Sequence, residues 1–363
     1  MDPTSLTIHG WKMTAPGTLT AFDEKGRAPG AGQVLVEVAG CGVCHTDIGY
    51  LYDGIPPKHA LPLTLGHEVS GIVVAAGEGA DKWLSQRVII PAVSPCGKCR
   101  FCREGKPTAC KASKMPGNDI DGGFASHVEV DAWSLCAVDG GTVVAKDAPI
   151  GNAALSLWEL SVIADAVSTP LQAIHRCGLK EKDVAIVVGA GGVGGYAVQL
   201  AVARGAMVAA VDVDPVKLER AKSLGASWVG DAKTPPKELK KAIAAVAKEQ
   251  GARGEAWRVF ETSGSKGGQE LAFGLLTQGG TISVVGFTGE TINVRLSNLM
   301  AFDASAYGNW GCDPMLYPEA LALVASGKVR IRGQVRKEKM SEAPKILDAV
   351  HKHAFQERVV LVP

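Results

Sequence analysis

The sequence has no excess of either charge. Of its 363 residues, 38 are Lys or Arg and 37 are Asp or Glu, which gives a formal net charge of +1. No run of five basic residues occurs, so a protein that binds nucleic acid through its overall charge is excluded. Charged residues make up only 21% and hydrophobic residues 46%, a balance that excludes a disordered chain.

Targeting and membrane signals are also lacking. The opening segment, MDPTSLTIHGWKM, has no basic stretch followed by an apolar one, so we expect no signal peptide. The most apolar stretch, residues 184–211, contains Gln199, Arg204 and several glycines, which argues against a membrane span. We therefore expect a cytoplasmic protein with neither a membrane nor a nucleic-acid partner. In a reducing compartment, its nine cysteines need a role other than disulfide formation.

The length predicts two domains. Short β-like runs at 32–40, 69–77 and 86–92, separated by Gly and Pro, predict a barrel-like or sandwich-like first unit. Residues 151–167 are expected to form a helix that leads out of it. From Asp183 onward strand and helix patterns alternate, which predicts a parallel sheet with crossover helices. The chain closes with RVVLVP, a predicted strand that could rejoin the first unit.

A glycine-rich turn follows the first apolar strand of the alternating region. Residues 189–194 fit G-x-G-x-x-G and open a predicted helix, the context that a dinucleotide-binding turn requires. Glycine permits the tight turn and lets the backbone approach a pyrophosphate at the helix N-terminus. The alternative is a merely flexible turn. The candidate cofactor-binding residues here are Gly189, Gly191, Gly192, Val193 and Gly194.

Asp212 ends the next predicted strand and is the candidate for binding the adenosine ribose. A carboxylate there accepts both ribose hydroxyls and repels a 2′-phosphate, so the sequence favours NAD over NADP. Asp214, followed by Pro215, is better suited to capping the next helix. Lys217 lies one helical turn further on and could reach the same ribose, or could be an ordinary exposed lysine.

Four cysteines lie within fifteen residues in the pattern C-x2-C-x2-C-x7-C. Four thiolates at this spacing can close on one tetrahedral zinc ion, with no open position, so we interpret the site as structural. An iron–sulfur cluster is the alternative. The ligands are Cys96, Cys99, Cys102 and Cys110.

A second constellation lies upstream, where Cys44 follows a predicted strand and His67 precedes another. Each residue alone could be an ordinary buried side chain. Beside a dinucleotide turn they suggest a catalytic zinc, which takes three protein ligands and keeps one position open.

Taken together, these motifs resemble the zinc-containing medium-chain alcohol dehydrogenases over essentially the full chain. The segments that carry the resemblance are GVCHTD (42–47), LGHEVSG (65–71), the four-cysteine loop, DGGFASHV (121–128) and VGAGGVGG (188–195). The resemblance implies an α/β protein with a GroES-like β-rich catalytic domain, formed by residues 1–168 and 300–363. A Rossmann NAD-binding domain with a doubly wound parallel sheet, residues 169–299, is inserted between these two parts.

The resemblance also implies roles for individual residues. Cys44 and His67 would bind the catalytic zinc, and Asp165 would replace the cysteine or glutamate that many members use as the third ligand. This makes two zinc ions per chain, beside the NAD. Further implied catalytic residues are Thr46 as the acceptor of the alcohol proton, Asp47 as the partner of His67, and Glu68 close to the metal. His45 and Arg358 would contact the cofactor pyrophosphate. Where many members have a relay histidine, this chain has Gly49.

Three segments are most similar to the 6-hydroxycyclohex-1-ene-1-carbonyl-CoA dehydrogenases of this family: residues 8–19, 44–71 and 163–179. The substrate would then be a cyclic secondary alcohol carried on an acyl-CoA, oxidised with NAD during anaerobic benzoyl-CoA degradation. The alternatives are oxidation of a simple primary, benzylic or cyclic alcohol, conjugate hydride addition to an enoyl-CoA, and a crystallin-like structural role. Resemblance also implies a homodimer or homotetramer, with residues 280–297 at the edge of the Rossmann sheet where members of the family pair two subunits.

Overall fold

The computed structural model describes residues 2–363, which divide into two compact units. Unit 1 comprises the residues up to Ser168 together with Gly311–Pro363, and unit 2 comprises Thr169–Trp310. The expectation that the Rossmann domain ends at residue 299 is wrong by eleven residues. Ser305–Gly308 forms a strand that pairs in parallel with Thr281–Val284, so this segment completes the sheet of unit 2.

The strands within the described residues, in chain order, are β1 Thr7–Ala15, β2 Thr18–Lys25, β3 Gln33–Gly42, β4 Leu63–Thr64, β5 Glu68–Ala76, β6 Arg87–Ile90, β7 His127–Asp131, β8 Cys136–Ala137, β9 Val184–Val188, β10 Met207–Asp212, β11 Trp228–Asp231, β12 Arg258–Glu261, β13 Thr281–Val284, β14 Ser305–Gly308, β15 Val335–Lys339 and β16 Arg358–Val362.

The α-helices there are α1 His45–Leu51, α2 Arg100–Arg103, α3 Ser168–Cys177, α4 Gly192–Ala203, α5 Pro215–Ser223, α6 Pro236–Glu249, α7 Lys266–Gly274, α8 Ser297–Ala301, α9 Tyr317–Ala325 and α10 Ala343–His351. Short 3₁₀ helices span Pro3–Ser5, Asp81–Trp83, Pro107–Ala109, Ala132–Ser134, Leu157–Ala164, Pro314–Leu316 and Met340–Glu342. None of the helices within residues 2–363 combines the length and the apolar character needed to cross a membrane.

Unit 1 is built on a seven-stranded sheet in the order β15-β16-β3-β5-β6-β8, with β7 also paired to β3. A smaller sheet has the order β2-β1-β4. β16 joins the sheet beside β3, so the predicted return of the chain end to the first unit is confirmed. The apolar faces of these strands enclose a core in which Val34, Val36 and Val88 are fully buried.

Unit 2 is a six-stranded sheet in which every strand pair is parallel, in the order β11-β10-β9-β12-β13-β14. This is the doubly wound arrangement predicted from the alternating pattern. The order reverses between β9 and β12, and ligands of such sheets bind beyond the carboxyl ends of the strands at this reversal. Residues 189–191, which follow β9, lie at that point.

Two smaller expectations need correction. The helix expected at 151–167 is confined to a 3₁₀ helix, Leu157–Ala164, and a separate α-helix begins at Ser168. On this side the edge strand of the unit 2 sheet is β14 rather than the segment 280–297, because β13 is paired on both sides and residues 291–297 form no strand.

Candidate active site

Antiparallel pairing of β3 with β5 brings the two predicted zinc ligands together. Gly42, at the end of β3, stands opposite Glu68, at the start of β5. Cys44 follows β3 by two residues and His67 immediately precedes β5, so the register of this one strand pair places both ligands at the same edge. Both residues are buried, with exposures of 8% for Cys44 and 1% for His67.

Asp165 completes the donor set from a third segment, at the end of the Leu157–Ala164 helix. Its Oδ2 lies 3.6 Å from Sγ of Cys44 and 3.6 Å from Nε2 of His67. Zinc bonds of about 2.0–2.3 Å place tetrahedral ligand atoms about 3.3–3.8 Å apart. Both distances from the carboxylate oxygen are therefore those that a zinc ion requires, and the sulfur, the imidazole and the carboxylate lie within 4.8 Å of one another.

The surroundings of His67 fit a cation in the same place. Burial alone would lower the pKa of His67, but the neighbouring carboxylates of Asp47 and Asp165, together with Cys44, outweigh it and raise that pKa well above 6.5. Such an anionic environment around a buried imidazole also suits a divalent metal. Among residues 2–363, the acidic partner of Nδ1 is Asp47, whose Oδ1 is 3.4 Å away. That is longer than a normal hydrogen bond.

The carboxylate of Asp47 links the segment that carries Cys44 to the segment that carries His67 through two hydrogen bonds. Its Oδ2 accepts a hydrogen bond from the backbone N–H of Cys44 at 2.9 Å, and its Oδ1 accepts one from that of Gly66 at 3.1 Å. The side chain is fully buried. The carboxylate thus fixes the backbone beside each ligand and stands next to the imidazole, where it can select the tautomer with Nε2 free for metal.

Glu68 and Arg358 form a buried pair that the sequence did not reveal as a pair. Nε of Arg358 donates to Oε2 of Glu68 at 2.7 Å, and Nη2 donates to Oε1. Burial raises the pKa of Glu68 to about 7, although the Arg358 guanidinium acts in the opposite direction. Arg358 is only 7% exposed at its side chain. Its contact with a pyrophosphate, and the approach of Glu68 to the metal, stay predictions.

Thr46 and His45 occupy the first turn of α1. Oγ1 of Thr46 lies 3.7 Å from Sγ of Cys44, beside the ligand atoms. His45 is exposed, and its ring stacks on that of His353 with centroids 5.8 Å apart. At Gly49 a Cβ atom would stand 2.9 Å from Cδ1 of Ile55. A side chain at position 49 would therefore require the end of the Ile55 side chain to shift.

The four cysteines of the second metal loop also converge. Sγ of Cys99 lies 3.5 Å from that of Cys102 and 3.7 Å from that of Cys110, and the sulfurs of Cys96 and Cys102 are 4.0 Å apart. Sulfur ligands of tetrahedral zinc are about 3.8 Å apart, given bonds of about 2.3 Å. The set fits a closed zinc site made entirely by residues 96–110 of unit 1.

In unit 2, two glycines of the turn after β9 are required sterically and a third is not. Gly189 has φ +93°, and a Cβ there would stand 2.5 Å from Cα of Ser263. A Cβ on Gly194 would stand 1.8 Å from the carbonyl oxygen of Gly189. A Cβ on Gly191 would meet no atom of the described chain within 4 Å. Gly189 and Gly194 thus permit the tight turn and the close helix, while Gly191 faces open space, as a pyrophosphate site requires.

Asp212 is tied directly to this turn. Its Oδ2 accepts from the N–H of Ala190 at 2.7 Å and its Oδ1 accepts from the N–H of Asp214 at 2.9 Å. A carboxylate has about four acceptor positions, so two are left for ribose hydroxyls. Asp214 caps α5 through Val216, as expected. Lys217 lies half-buried on α5, and its role stays a prediction, as do the cofactor contacts of Gly192 and Val193 in the first turn of α4.

Glu261, at the end of β12, lies beside the glycine turn and was not predicted, because no motif in the sequence marks it. Its Oε1 accepts from the N–H and the Oγ of Ser263, at 2.8 and 2.6 Å, and from the N–H of Gly264 at 3.1 Å. Its carbonyl accepts from the N–H groups of Val285 and Gly286. Glu261 therefore joins the loops after β12 and β13, and the first of these packs against Gly189.

Comparisons with known proteins agree with this architecture. The profile of the alcohol dehydrogenase GroES-like domain matches residues 30–140, and that of the zinc-binding dehydrogenase domain matches residues 192–326. An alcohol dehydrogenase of Geobacillus stearothermophilus is 31% identical over 334 residues, which cover 91% of this chain and 92% of the relative. The chain therefore belongs to the zinc-containing medium-chain alcohol dehydrogenase family.

Two solved structures extend the likeness to the whole fold. The alcohol dehydrogenase of Aeropyrum pernix is 29% identical, with a TM-score of 0.83, and the match covers 98% of this chain and 100% of that one. The acetophenone reductase of Geotrichum candidum, solved with NAD, is 26% identical, with a TM-score of 0.81, and the match covers 98% and 97%. The GroES-like and Rossmann fold predicted from the sequence is confirmed, and the chain is a zinc-dependent oxidoreductase of the alcohol dehydrogenase type.

Proposed function

We propose that this protein oxidises a cyclic secondary alcohol with NAD, using Cys44, His67 and Asp165 to hold a catalytic zinc. The observation that carries the proposal is the spacing of these three ligand atoms in a chain that also has a complete dinucleotide turn. When bound, zinc supplies Lewis-acid polarisation of the alcohol oxygen, and the nicotinamide supplies the hydride acceptor.

The residues of the chain then have to orient the metal ligands and move one proton. Asp47 holds the Cys44 and Gly66 backbones and stands beside the imidazole of His67. The hydroxyl of Thr46 is the group beside the ligands that can accept the alcohol proton at Oγ1. Because position 49 is a glycine and offers no side chain for a relay, the proton leaves Thr46 through water.

Replacing Thr46 with valine tests this assignment, because valine preserves the shape and removes the hydroxyl. Oxidation should fall by about 10²–10⁴-fold in kcat, the usual contribution of one acid–base group. Thr46→Ser is the matched control and should recover most of the rate. Near-normal turnover of the valine variant would remove Thr46 from the proton path.

We place the reaction on 6-hydroxycyclohex-1-ene-1-carbonyl-CoA, which becomes 6-oxocyclohex-1-ene-1-carbonyl-CoA as NAD is reduced. The support is the resemblance of residues 8–19, 44–71 and 163–179 to the dehydrogenases of this thioester. Steady-state oxidation of the CoA ester should be compared with that of its free acid and of cyclohexenol. A much higher kcat/KM for the thioester supports the choice, and equal activity on the free acid or cyclohexenol overturns it.

A cyclic or benzylic alcohol without CoA is the second candidate. It is favoured by the likeness to an enzyme named for acetophenone, a ketone next to an aromatic ring. 1-Phenylethanol, its reduced form, belongs in the same assay. Turnover of 1-phenylethanol well above that of the thioester would favour this candidate.

We further propose that the protein is a cytoplasmic homodimer or homotetramer. All nine cysteines are free of disulfide bonds in the described residues, which agrees with a reducing compartment, and five of the nine are the predicted zinc ligands. In unit 2, the apolar side chains of Phe287, Leu296 and Met300 are 71%, 68% and 78% exposed, and such exposure is common where subunits associate. Sedimentation equilibrium should give a mass of two or four chains, and a monomer would contradict the proposal.

A further inference from the structure

The backbone on both sides of Asp165 is held by hydrogen bonds from distant parts of unit 1. The carbonyl oxygen of Ala164 accepts from Oγ of Ser168 at 3.1 Å, from the N–H of Ala92 at 3.3 Å, and from the hydroxyl of Tyr317. Three donors on one carbonyl, directly before the third predicted metal ligand, fix this peptide more firmly than a helix end alone would.

The other side of Asp165 is held as well. The N–H of Ala166 donates to Oε1 of Glu68 at 3.2 Å, and Glu68 is itself held by Arg358. Asp165 is therefore the single residue between two anchored peptide groups. Its own side chain remains 17% exposed, while the groups that hold its neighbours are buried.

Tyr317 makes the most specific of these contacts. It begins α9, is fully buried, and lies 153 residues from Ala164 in the sequence. Its hydroxyl donates to the Ala164 carbonyl and accepts from the N–H of Ala92 at 3.1 Å, so both roles of the hydroxyl are used. Burial raises the pKa of the Tyr317 phenol well above 10, so the hydroxyl keeps its proton and stays a donor across the working pH range.

A short ligand makes this anchoring necessary. Aspartate reaches about 1.5 Å less far than glutamate, the length of one C–C bond. It also has only two side-chain torsions with which to correct an error in backbone position. Oδ2 of Asp165 lies 3.6 Å from both Sγ of Cys44 and Nε2 of His67. These distances can be kept only if the backbone at position 165 does not move.

We propose that Tyr317 is a positioning residue for the metal ligand Asp165: its hydroxyl holds the Ala164 carbonyl and so sets the point from which the carboxylate reaches the metal. The inference rests on the proposed catalytic zinc site. Without this hydroxyl the chain still has the Asp165 carboxylate, but the backbone at position 165 is less restrained. The affinity of the catalytic site for zinc should therefore fall, while the fold persists.

The test is zinc retention by Tyr317→Phe, which keeps the ring and removes the hydroxyl. Purified, zinc-loaded protein is titrated with a chelator, and the two ions are followed separately, with the four-cysteine site as an internal reference. The catalytic ion should be bound about tenfold more weakly, within the 10–100-fold typical of residues that orient metal ligands. The ion held by Cys96 and its three partners should be unchanged. Tyr196→Phe, a buried tyrosine of unit 2, is the matched control.

A second variant separates positioning from general loosening. In an Asp165→Glu background the longer side chain can follow a displaced backbone, so Tyr317→Phe should cost clearly less than tenfold there. Cobalt substituted at the catalytic site should show a shifted visible absorption in Tyr317→Phe alone. An equal loss of both ions, or the same penalty in both backgrounds, would overturn the inference.

Failure of the inference is distinguishable from failure of the proposed function. A wild-type protein that binds only the four-cysteine zinc would overturn the proposed function, and the inference with it. If the wild-type protein binds two zinc ions and Tyr317→Phe binds both of them as tightly as the wild type does, the inference alone is overturned.

Discussion

The glycine turn allows a prediction whose magnitude follows from the structure. In Gly194→Ala the added Cβ would stand 1.8 Å from the carbonyl oxygen of Gly189 and 2.8 Å from Oγ1 of Thr262. The first neighbour is backbone and cannot rotate away, so α4 has to move by about 1.5 Å to restore an ordinary carbon–oxygen contact. Overpacking of this kind costs about 1–3 kcal/mol.

Gly191→Ala is the matched control, because its Cβ would meet no described atom within 4 Å and its φ is −72°. The midpoint of thermal unfolding (Tm) should therefore fall by roughly 3–9 °C in Gly194→Ala, because about 1 kcal/mol lowers Tm by about 3 °C. In Gly191→Ala the Tm should fall by less than about 1 °C. NADH binding, followed by fluorescence, should be weakened in both, since in Gly191→Ala the methyl group occupies the proposed pyrophosphate space. Equal stability of the two variants would refute the steric reasoning.

Three further outcomes follow from the site. Asp212→Asn should lower the ratio of kcat/KM for NAD to that for NADP by about 10–100-fold, since a charge-assisted hydrogen bond contributes about 1.5–3 kcal/mol. An unchanged ratio in steady-state assays would remove Asp212 from cofactor selection. Gly49→His combined with Ile55→Ala should raise kcat at least about twofold at low pH, and Gly49→His alone should give a smaller gain, because the end of the Ile55 side chain first has to move. Burial raises the pKa of Glu261 above 4.5, so the folded state binds its proton more tightly than the unfolded state and stability should fall as pH rises from about 4.5 through the folded pKa. Glu261→Gln should flatten this slope in thermal melts, and parallel slopes for the two proteins would contradict it.

Features that are local in sequence could be predicted, because a short segment contains all that they need. The four-cysteine loop closes within residues 96–110, and the glycine turn is set by one strand and the helix after it. Cys44 and His67 are predicted from their positions next to two strands in a chain with a dinucleotide turn, and then from the resemblance; the register of β3 with β5 explains why they meet.

Features that depend on distant contacts could not be predicted. Arg358 is 290 residues from Glu68, and Tyr317 is 153 residues from Ala164. No periodicity links such pairs, and each depends on how the end of the chain packs onto its beginning. Ile55 at the side of Gly49 is nearer in sequence, but its contact depends on the loop that follows α1.

The proposed function depends on a catalytic zinc ion bound by Cys44, His67 and Asp165, and anomalous diffraction at the zinc edge tests for this ion most directly. Zinc-loaded crystals should show two ions per chain, one among the four cysteines and one bound by Sγ of Cys44, Nε2 of His67 and a carboxylate oxygen of Asp165. A single ion at the four cysteines, in protein that still oxidises alcohols with NAD, would contradict the account.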